Sequence, residues 1–223
     1  MSSSPADQNK EEKKETFKEA VLFTGGIDST LLLNEVKDRP NREVIPLYLS
    51  NVASNDKRRE SINYFLKKFG FTPTTGTAFA DYKEMLEYCY ANKINKLNLA
   101  FNLEDDSNKK MIDLRMMNED YLREKLKADP NLDPKEMFTV DIVAPYMTLT
   151  KSSIIEMAKD KGIEIEKTPA PYYETETDKA TGKTVYKTDS LLRKRIRDKA
   201  FADARVQDPH GLIPKNLNPT PPK

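Results

Sequence analysis

The turn Phe23-Thr24-Gly25-Gly26-Ile27-Asp28-Ser29-Thr30 joins an apolar run to an apolar helix, and it constrains this chain more than any other segment. Val21, Leu22 and Phe23 read as the end of a buried strand, and Leu31-Leu32-Leu33 as the helix that follows. Adjacent glycines allow the positive φ and close backbone approach that side chains forbid. Only seven glycines occur in 223 residues, and two of them sit together here. A helix starting at this point aims its first amides, and the positive end of its dipole, at an anion; Thr24, Ser29 and Thr30 add hydroxyl donors. Neither G-x-x-x-x-G-K-[ST] nor G-x-G-x-x-G occurs in the chain, so two commoner phosphate loops are excluded. The same residues also fit an ordinary Gly-Gly turn in which Asp28 or Ser29 caps the helix.

Strand signals recur at Ala20 to Phe23, Val44 to Leu49, Leu97 to Phe101 and Val140 to Ala144. Helical patterns separate them, at Ser29 to Lys37, Asp56 to Phe69, Tyr82 to Ala91, Met116 to Lys127, Lys151 to Lys161 and Leu191 to Ala204. This alternation predicts an α/β fold, a doubly wound and mainly parallel sheet of Rossmann-like type. Ile62, Phe65, Leu66 and Phe69 form a 3.6-period stripe, as do Ile154, Ile155 and Ala158, and both stripes are core. Ligands of such sheets gather beyond the carboxyl ends of the strands, so the segments after Phe23, Leu49, Phe101 and Ala144 are expected to share one cleft.

At this length the chain is expected to hold one core with appendages. The division read from the sequence is a disordered polar tail (1–16), a nucleotide-binding core (17–168), a C-terminal helical and hairpin subregion (169–210) and a Pro-rich tail (211–223). Lys+Arg 37 against Asp+Glu 36 gives a net charge of +1, so direct nucleic-acid binding is not expected. The run Arg193-Lys194-Arg195-Ile196-Arg197 reads as a solvated helical face, part of which could reach phosphates. No apolar run reaches membrane-spanning length, and the single cysteine, Cys89, excludes an intrachain disulfide; a cytoplasmic protein without a membrane partner is expected. Cys89, between Tyr88 and Tyr90, reads as a buried structural thiol, and His210 as an exposed tail residue.

Two further segments fall where the cleft is expected. The first runs Leu99-Ala100-Phe101-Asn102-Leu103-Glu104-Asp105-Asp106, followed by Asp113-Leu114-Arg115. Arg115 offers a planar fork to a carboxylate and Asp113 accepts from an aminopyrimidine edge, although a surface ion pair on a helix-entry loop fits them as well. The second is Leu149-Thr150-Lys151-Ser152-Ser153-Ile154-Ile155, with a threonine cap and a lysine in the first helical turn. A lysine opposes the positive end of a helix dipole unless an anion lies nearby. A phosphate would be such an anion; a lysine that snorkels into solvent is the alternative.

The turn at Thr24 to Ser29 resembles the S-G-G-x-D-S loop of the PP-loop ATP pyrophosphatases, with Thr24 in place of the first serine. With Arg58-Arg59-Glu60, Asn102-x-x-Asp105, Asp113-Leu114-Arg115, Leu149-Thr150-Lys151 and the closing Arg197-Asp198-Lys199-Ala200-Phe201, it resembles the 7-cyano-7-deazaguanine synthase family over about residues 19 to 209. The resemblance implies that 7-carboxy-7-deazaguanine, ATP and ammonia give the nitrile through adenylylated intermediates, with Mg accompanying ATP. It also implies roles for residues. Leu22, Phe23, Thr24, Gly25, Gly26, Ile27, Asp28, Ser29, Thr30 and Leu31 would contact the nucleotide. Asn102, Asp105, Asp113 and Arg115 would hold the deazaguanine, and Asp28, Ser29 and Lys151 would act on the phosphates.

One family feature is missing. Relatives carry four zinc-binding cysteines, whereas Pro171, Thr188, Leu191 and Lys194 stand at the aligned positions, and no cysteine follows Cys89. Zinc is therefore expected to be absent. Two alternating, β-prone runs flank a Gly-containing turn between Tyr172 and Thr188 and predict a hairpin that bridges the span stapled by zinc in the relatives. An isolated hairpin is marginal, so this one is expected to pack on the domain or on a second subunit of a homodimer. The missing cysteines leave three other outcomes open: a reaction that stops at 7-amido-7-deazaguanine, one that joins the activated carboxylate to another amine, or a nucleotide-binding protein without catalysis. Other PP-loop activities, such as tRNA thiolation or lysidine formation, would want a strongly basic surface or catalytic cysteines.

Overall fold

The first strand, β1 (Phe17–Leu22), sends its side chains alternately to two separate cores. Ala20 and Leu22 join one apolar cluster, while Val21 and the adjoining Phe23 join the other, the display expected of a strand covered on both faces. The computed structural model describes residues 16–50, 56–72, 78–104, 107–169, 175–177, 184–186 and 188–210. Expectations for the two tails, for Asp105 and for the segment just after Leu49 lie outside the described residues.

Four strands join β1 in an all-parallel sheet: β2 (Arg42–Leu49), β3 (Ala78–Phe79), β4 (Lys96–Asn98) and β5 (Asp141–Val143), in the order β3-β2-β1-β4-β5. Ala20 of β1 lies between Ile45 of β2 and Leu97 of β4. The helices are α1 (Ile27–Val36), α2 (Asp56–Lys68), α3 (Tyr82–Ala91), α4 (Ser107–Ala128), α5 (Lys151–Asp160) and α6 (Thr188–Asp203). Buried residues of α1, α2, α5 and α6 cover one face, among them Leu31, Phe65, Ile154 and Phe201. The other face is covered by α3 and α4 through Met85, Leu86, Cys89, Met111 and Leu114. The fold is α/β and doubly wound, as the alternating pattern predicts.

Local chemistry sets the ends of the helices. Asp81 caps α3 by accepting the Glu84 N–H at 2.9 Å, and Thr150 caps α5 by accepting the Ser153 N–H at 3.2 Å. Gly162, at φ +66°, turns the chain out of α5 and back into the core at Ile163.

Element ends shift by up to three residues elsewhere, and two elements differ more than that from the sequence reading. Strand β3 has only two residues, too few to show a period. Helix α4 begins at Ser107, nine residues before the expected Met116. Its early turns bury only Met111 and Leu114, spaced i, i+3, among the described residues, while the neighbouring Ile112 is exposed. Beyond the sheet, β6 (Thr175–Thr177) and β7 (Thr184–Tyr186) pair antiparallel, Thr175 opposite Tyr186, as the two alternating runs predict.

Candidate functional site

Strand order reverses between β1 and β4, since the chain leaves β1 in one direction through β2 and β3 and then returns to its other side. The crevice beyond the carboxyl ends of these two strands is where open α/β sheets hold ligands. The loop after β1 fills one wall. Phe23 N–H donates to Leu47 O at 2.7 Å, keeping the chain in the sheet for one residue more before it turns. Gly25 then takes φ +71°, a conformation costly to L side chains. A Cβ there would lie 3.1 Å from Ile62 Cγ1, and the Gly25 carbonyl accepts from Ser61 Oγ at 2.9 Å. The loop is thus clamped against α2.

Gly26 is the N-cap of α1, in extended backbone, and no side chain caps the helix. Asp28 and Ser29 lie inside the first turn, so neither is the capping residue of an ordinary turn. Ser29 is directed back at the loop instead: the Thr24 N–H donates to Ser29 Oγ at 3.1 Å, and Ser29 Oγ donates to Gly26 O at 3.2 Å. Thr24 Oγ1 is also 3.1 Å from Ser29 Oγ. A Cβ on Gly26 would meet only Thr24 Oγ1, at 3.6 Å, so the space beside this residue is open. Thr30 is fully buried and its Oγ1 has no hydrogen-bond partner among the described residues. An uncapped first turn, an open glycine and an unsatisfied hydroxyl suit an anion with several acceptor oxygens, which is what a nucleotide's phosphates are.

Asp28 joins three segments of the chain. Asn102 Nδ2, from the loop after β4, donates to Asp28 Oδ2 at 2.9 Å, and Lys151 Nζ, from the first turn of α5, donates to both carboxylate oxygens. The Lys151 and Asp28 side chains are only 22% and 12% exposed, so this ion pair is largely withdrawn from solvent. Lys151 needs an anion at the start of its helix, and Asp28 is that anion. A second is Glu104, whose Oε2 accepts the Lys151 N–H at 2.8 Å. Asn102 Oδ1 in turn accepts the Glu104 N–H at 2.9 Å, which fixes the amide between the Asp28 carboxylate and the Glu104 main chain.

The expected site residues divide into groups. Thr24, Gly25, Gly26, Asp28, Ser29, Asn102 and Lys151 come together. Leu22, Phe23, Ile27 and Leu31 are core side chains, leaving only their backbone to meet a ligand. Asp113 and Arg115 are exposed, and they lie within α4 on either side of buried Leu114 rather than on a helix-entry loop. Arg197 is engaged elsewhere, in a bidentate pair with Asp208 (Nε to Oδ2 2.6 Å, Nη2 to Oδ1 2.7 Å). His210 is half-buried rather than exposed, with Nε2 2.7 Å from Thr168 O. Burial pushes the Cys89 thiol up to about 12, so it is no nucleophile.

Three contributors carry no sequence signal, because each acts across a long stretch of chain. They are Ser61, Glu104 and the buried Tyr146, whose hydroxyl donates to Glu35 Oε2 at 2.6 Å and braces α1. Burial, then the Glu35 carboxylate, push the Tyr146 phenol well above its ordinary range, so it stays a donor.

Among the described residues, no group of three or more His, Cys, Asp or Glu is placed to hold a metal ion, and no helix is long and apolar enough to cross a membrane. Magnesium that arrives with a nucleotide needs only one or two carboxylates, and Asp28 is the one at the loop.

No family model matches this chain, and neither does any curated protein. Among solved structures the chain is similar to the U34-tRNA thiolase NcsA from Methanococcus maripaludis, described with its 4Fe-4S cluster. Identity is 17%, over 86% of this chain and 68% of that one, with a TM-score of 0.44.

Proposed function

We propose that this chain is an ATP-dependent C–N ligase that converts 7-carboxy-7-deazaguanine and ammonia, through adenylylated intermediates, to 7-cyano-7-deazaguanine. One observation carries the reading. Asn102 and Lys151, singled out from segments 74 and 123 residues along the chain from Asp28, both bind that residue at the mouth of the glycine turn. The resemblance that named those segments needs them in one place.

The chemistry follows from the groups present. A carboxylate is a poor acyl donor because oxide is its leaving group, whereas the adenylate leaves as AMP. The amides at the start of α1, with Ser29 and Thr30, would hold the departing pyrophosphate, stabilising charge where it develops. Lys151 would neutralise phosphate oxygens once they compete with Asp28 for its ammonium. Asp28, kept in place by Asn102, is then the residue to hold magnesium, which supplies further neutralisation of phosphate charge. Asp113 and Arg115 remain candidates for the deazaguanine, although their exposure on α4 gives them no enclosed pocket of their own.

The test is incubation with magnesium-ATP, 7-carboxy-7-deazaguanine and ammonium, following AMP, pyrophosphate and deazapurine mass. Two AMP and two pyrophosphate for each nitrile formed are expected, one pair for each adenylylation. An amide that accumulates without nitrile selects the shortened reaction, and absence of AMP overturns the synthase reading.

A further inference from the structure

Seven large apolar side chains are exposed among the described residues, and four of them fall between positions 103 and 117: Leu103 (60%), Ile112 (58%), Met116 (57%) and Met117 (41%). Single exposed apolar residues are ordinary, whereas a cluster of them marks a surface that meets something. Helix α4 sets two of these in a longer line. Lys109, Ile112, Met116, Glu119 and Arg123 follow one another at spacings of three, four, three and four residues, the repeat of a coiled-coil seam, and all five are exposed. On an α-helix these positions stay within about 40° of one line, and buried Leu114 lies on the opposite side.

The charges along the seam decide what can cover it. From its N-terminal end it runs basic, apolar, apolar, acidic, basic. A second α4 laid antiparallel, about a two-fold axis at the level of Leu114, sets Ile112 against Met116 of the partner subunit and Lys109 against Glu119 of the partner subunit, each contact being made twice. A parallel copy would oppose lysine to lysine, glutamate to glutamate and arginine to arginine. Lys109 needs such a carboxylate. It sits in the first turn of α4, which has no acidic residue, and so faces the positive end of the helix dipole as Lys151 does. Lys151 is answered by Asp28 and Glu104, whereas no carboxylate among the described residues answers Lys109. Glu119 is available, because its 3.4 Å link to Arg123 joins two side chains about two-thirds exposed, and such a pair is worth little. Asp113 and Arg115 fall on the two flanks, about 80° from the line of contact, where their charges remain in water.

We propose that this face of α4 pairs antiparallel with the same face of a second copy of the chain, forming a two-fold symmetric homodimer. A seam of about four turns is at the small end of protein interfaces, so the dimer is weak and dissociates on dilution. The pairing is independent of the ATP reading and is measured without nucleotide.

Sedimentation velocity of the full-length protein across a dilution series is expected to show reversible exchange between monomer and dimer. Met116→Glu, which sets a carboxylate against Ile112 of the partner subunit, should leave only monomer with an unchanged far-UV circular dichroism spectrum, because the position is exposed. Lys109→Glu and Glu119→Lys should each weaken the dimer about tenfold, a change counted twice across the axis, and the two substitutions in one chain should restore it. A protein that is monomeric at every concentration overturns the proposal. So does a dimer that survives Met116→Glu, or one that the double exchange fails to restore. A monomer whose Met116 methyl resonance moves when residues 211–223 are removed would give the face to the chain's own tail instead.

Discussion

At the scale of single residues, the two glycines of the turn do different work. Gly25 needs its positive φ and lies 3.1 Å, at a virtual Cβ, from Ile62, whereas Gly26 has ordinary extended backbone and open space beside it. Gly25→Ala should therefore cost about 2 kcal/mol of stability from the left-handed conformation and the crowding on α2. Gly26→Ala should leave stability within about 0.5 kcal/mol but place a methyl group where phosphate oxygens would sit. Urea denaturation reads the first effect, and pyrophosphate binding by calorimetry the second. A Gly26→Ala protein that binds pyrophosphate as the parent does would remove the turn from the anion site.

Among elements, β1 shows what the sequence can and cannot disclose. Its apolar residues, and the glycines after it, mark a strand-turn-helix without ambiguity, because the signal is local. Glu19 gave none. It is fully buried in mid-strand, where Arg39 Nη1 and Arg42 Nη1 donate to its two oxygens at 2.7 Å each and Asn98 Nδ2 donates at 2.9 Å. These partners lie 20 to 79 residues away, so no window of sequence links them. The same reason hides the Ser61 clamp on Gly25. In α4 the difficulty is a different one, since a polar first half carries too few apolar residues to announce a helix before Met116. Lys151 was legible as a misplaced charge, but the anion that answers it could be named only once Asp28 was seen beside it.

The Glu19 cluster is nonetheless satisfied on every side, and its loss should be felt. Glu19→Ala leaves the buried Asn98 amide with Ala20 O as its remaining acceptor, and frees two arginines that are about a third exposed and can turn to water. A loss of about 3 kcal/mol is expected, at the low end for breaking a buried ion pair. Glu19→Gln keeps one acceptor for Asn98 and should lose less. Chemical denaturation of the two variants measures both, and equal loss in each would show that the charge, rather than the shape and the acceptor that glutamine keeps, is what matters at this position.

On the scale of the whole molecule, the site belongs to no single element. The glycine turn follows β1, Asn102 and Glu104 follow β4, and Lys151 opens the helix after β5, so a ligand bound among them bridges both halves of the sheet across its point of reversal. Lys151, Asn102 and Asp28 already hold these halves together, and a polyanion taking Lys151 would replace one internal tie with several of its own. Binding restricted to the folded state must then raise the stability of the fold as a unit, by about 2.7 kcal/mol at a concentration one hundred times the dissociation constant. For a chain of this length that is a rise of roughly 5–10 °C in Tm. Thermal unfolding with saturating magnesium pyrophosphate or magnesium-ATP should show it, sulfate at equal ionic strength should not, and Lys151→Met should abolish most of it. Equal shifts with sulfate would reduce the crevice to a general anion sink, and no shift with either nucleotide or pyrophosphate would separate the glycine turn from phosphate chemistry altogether.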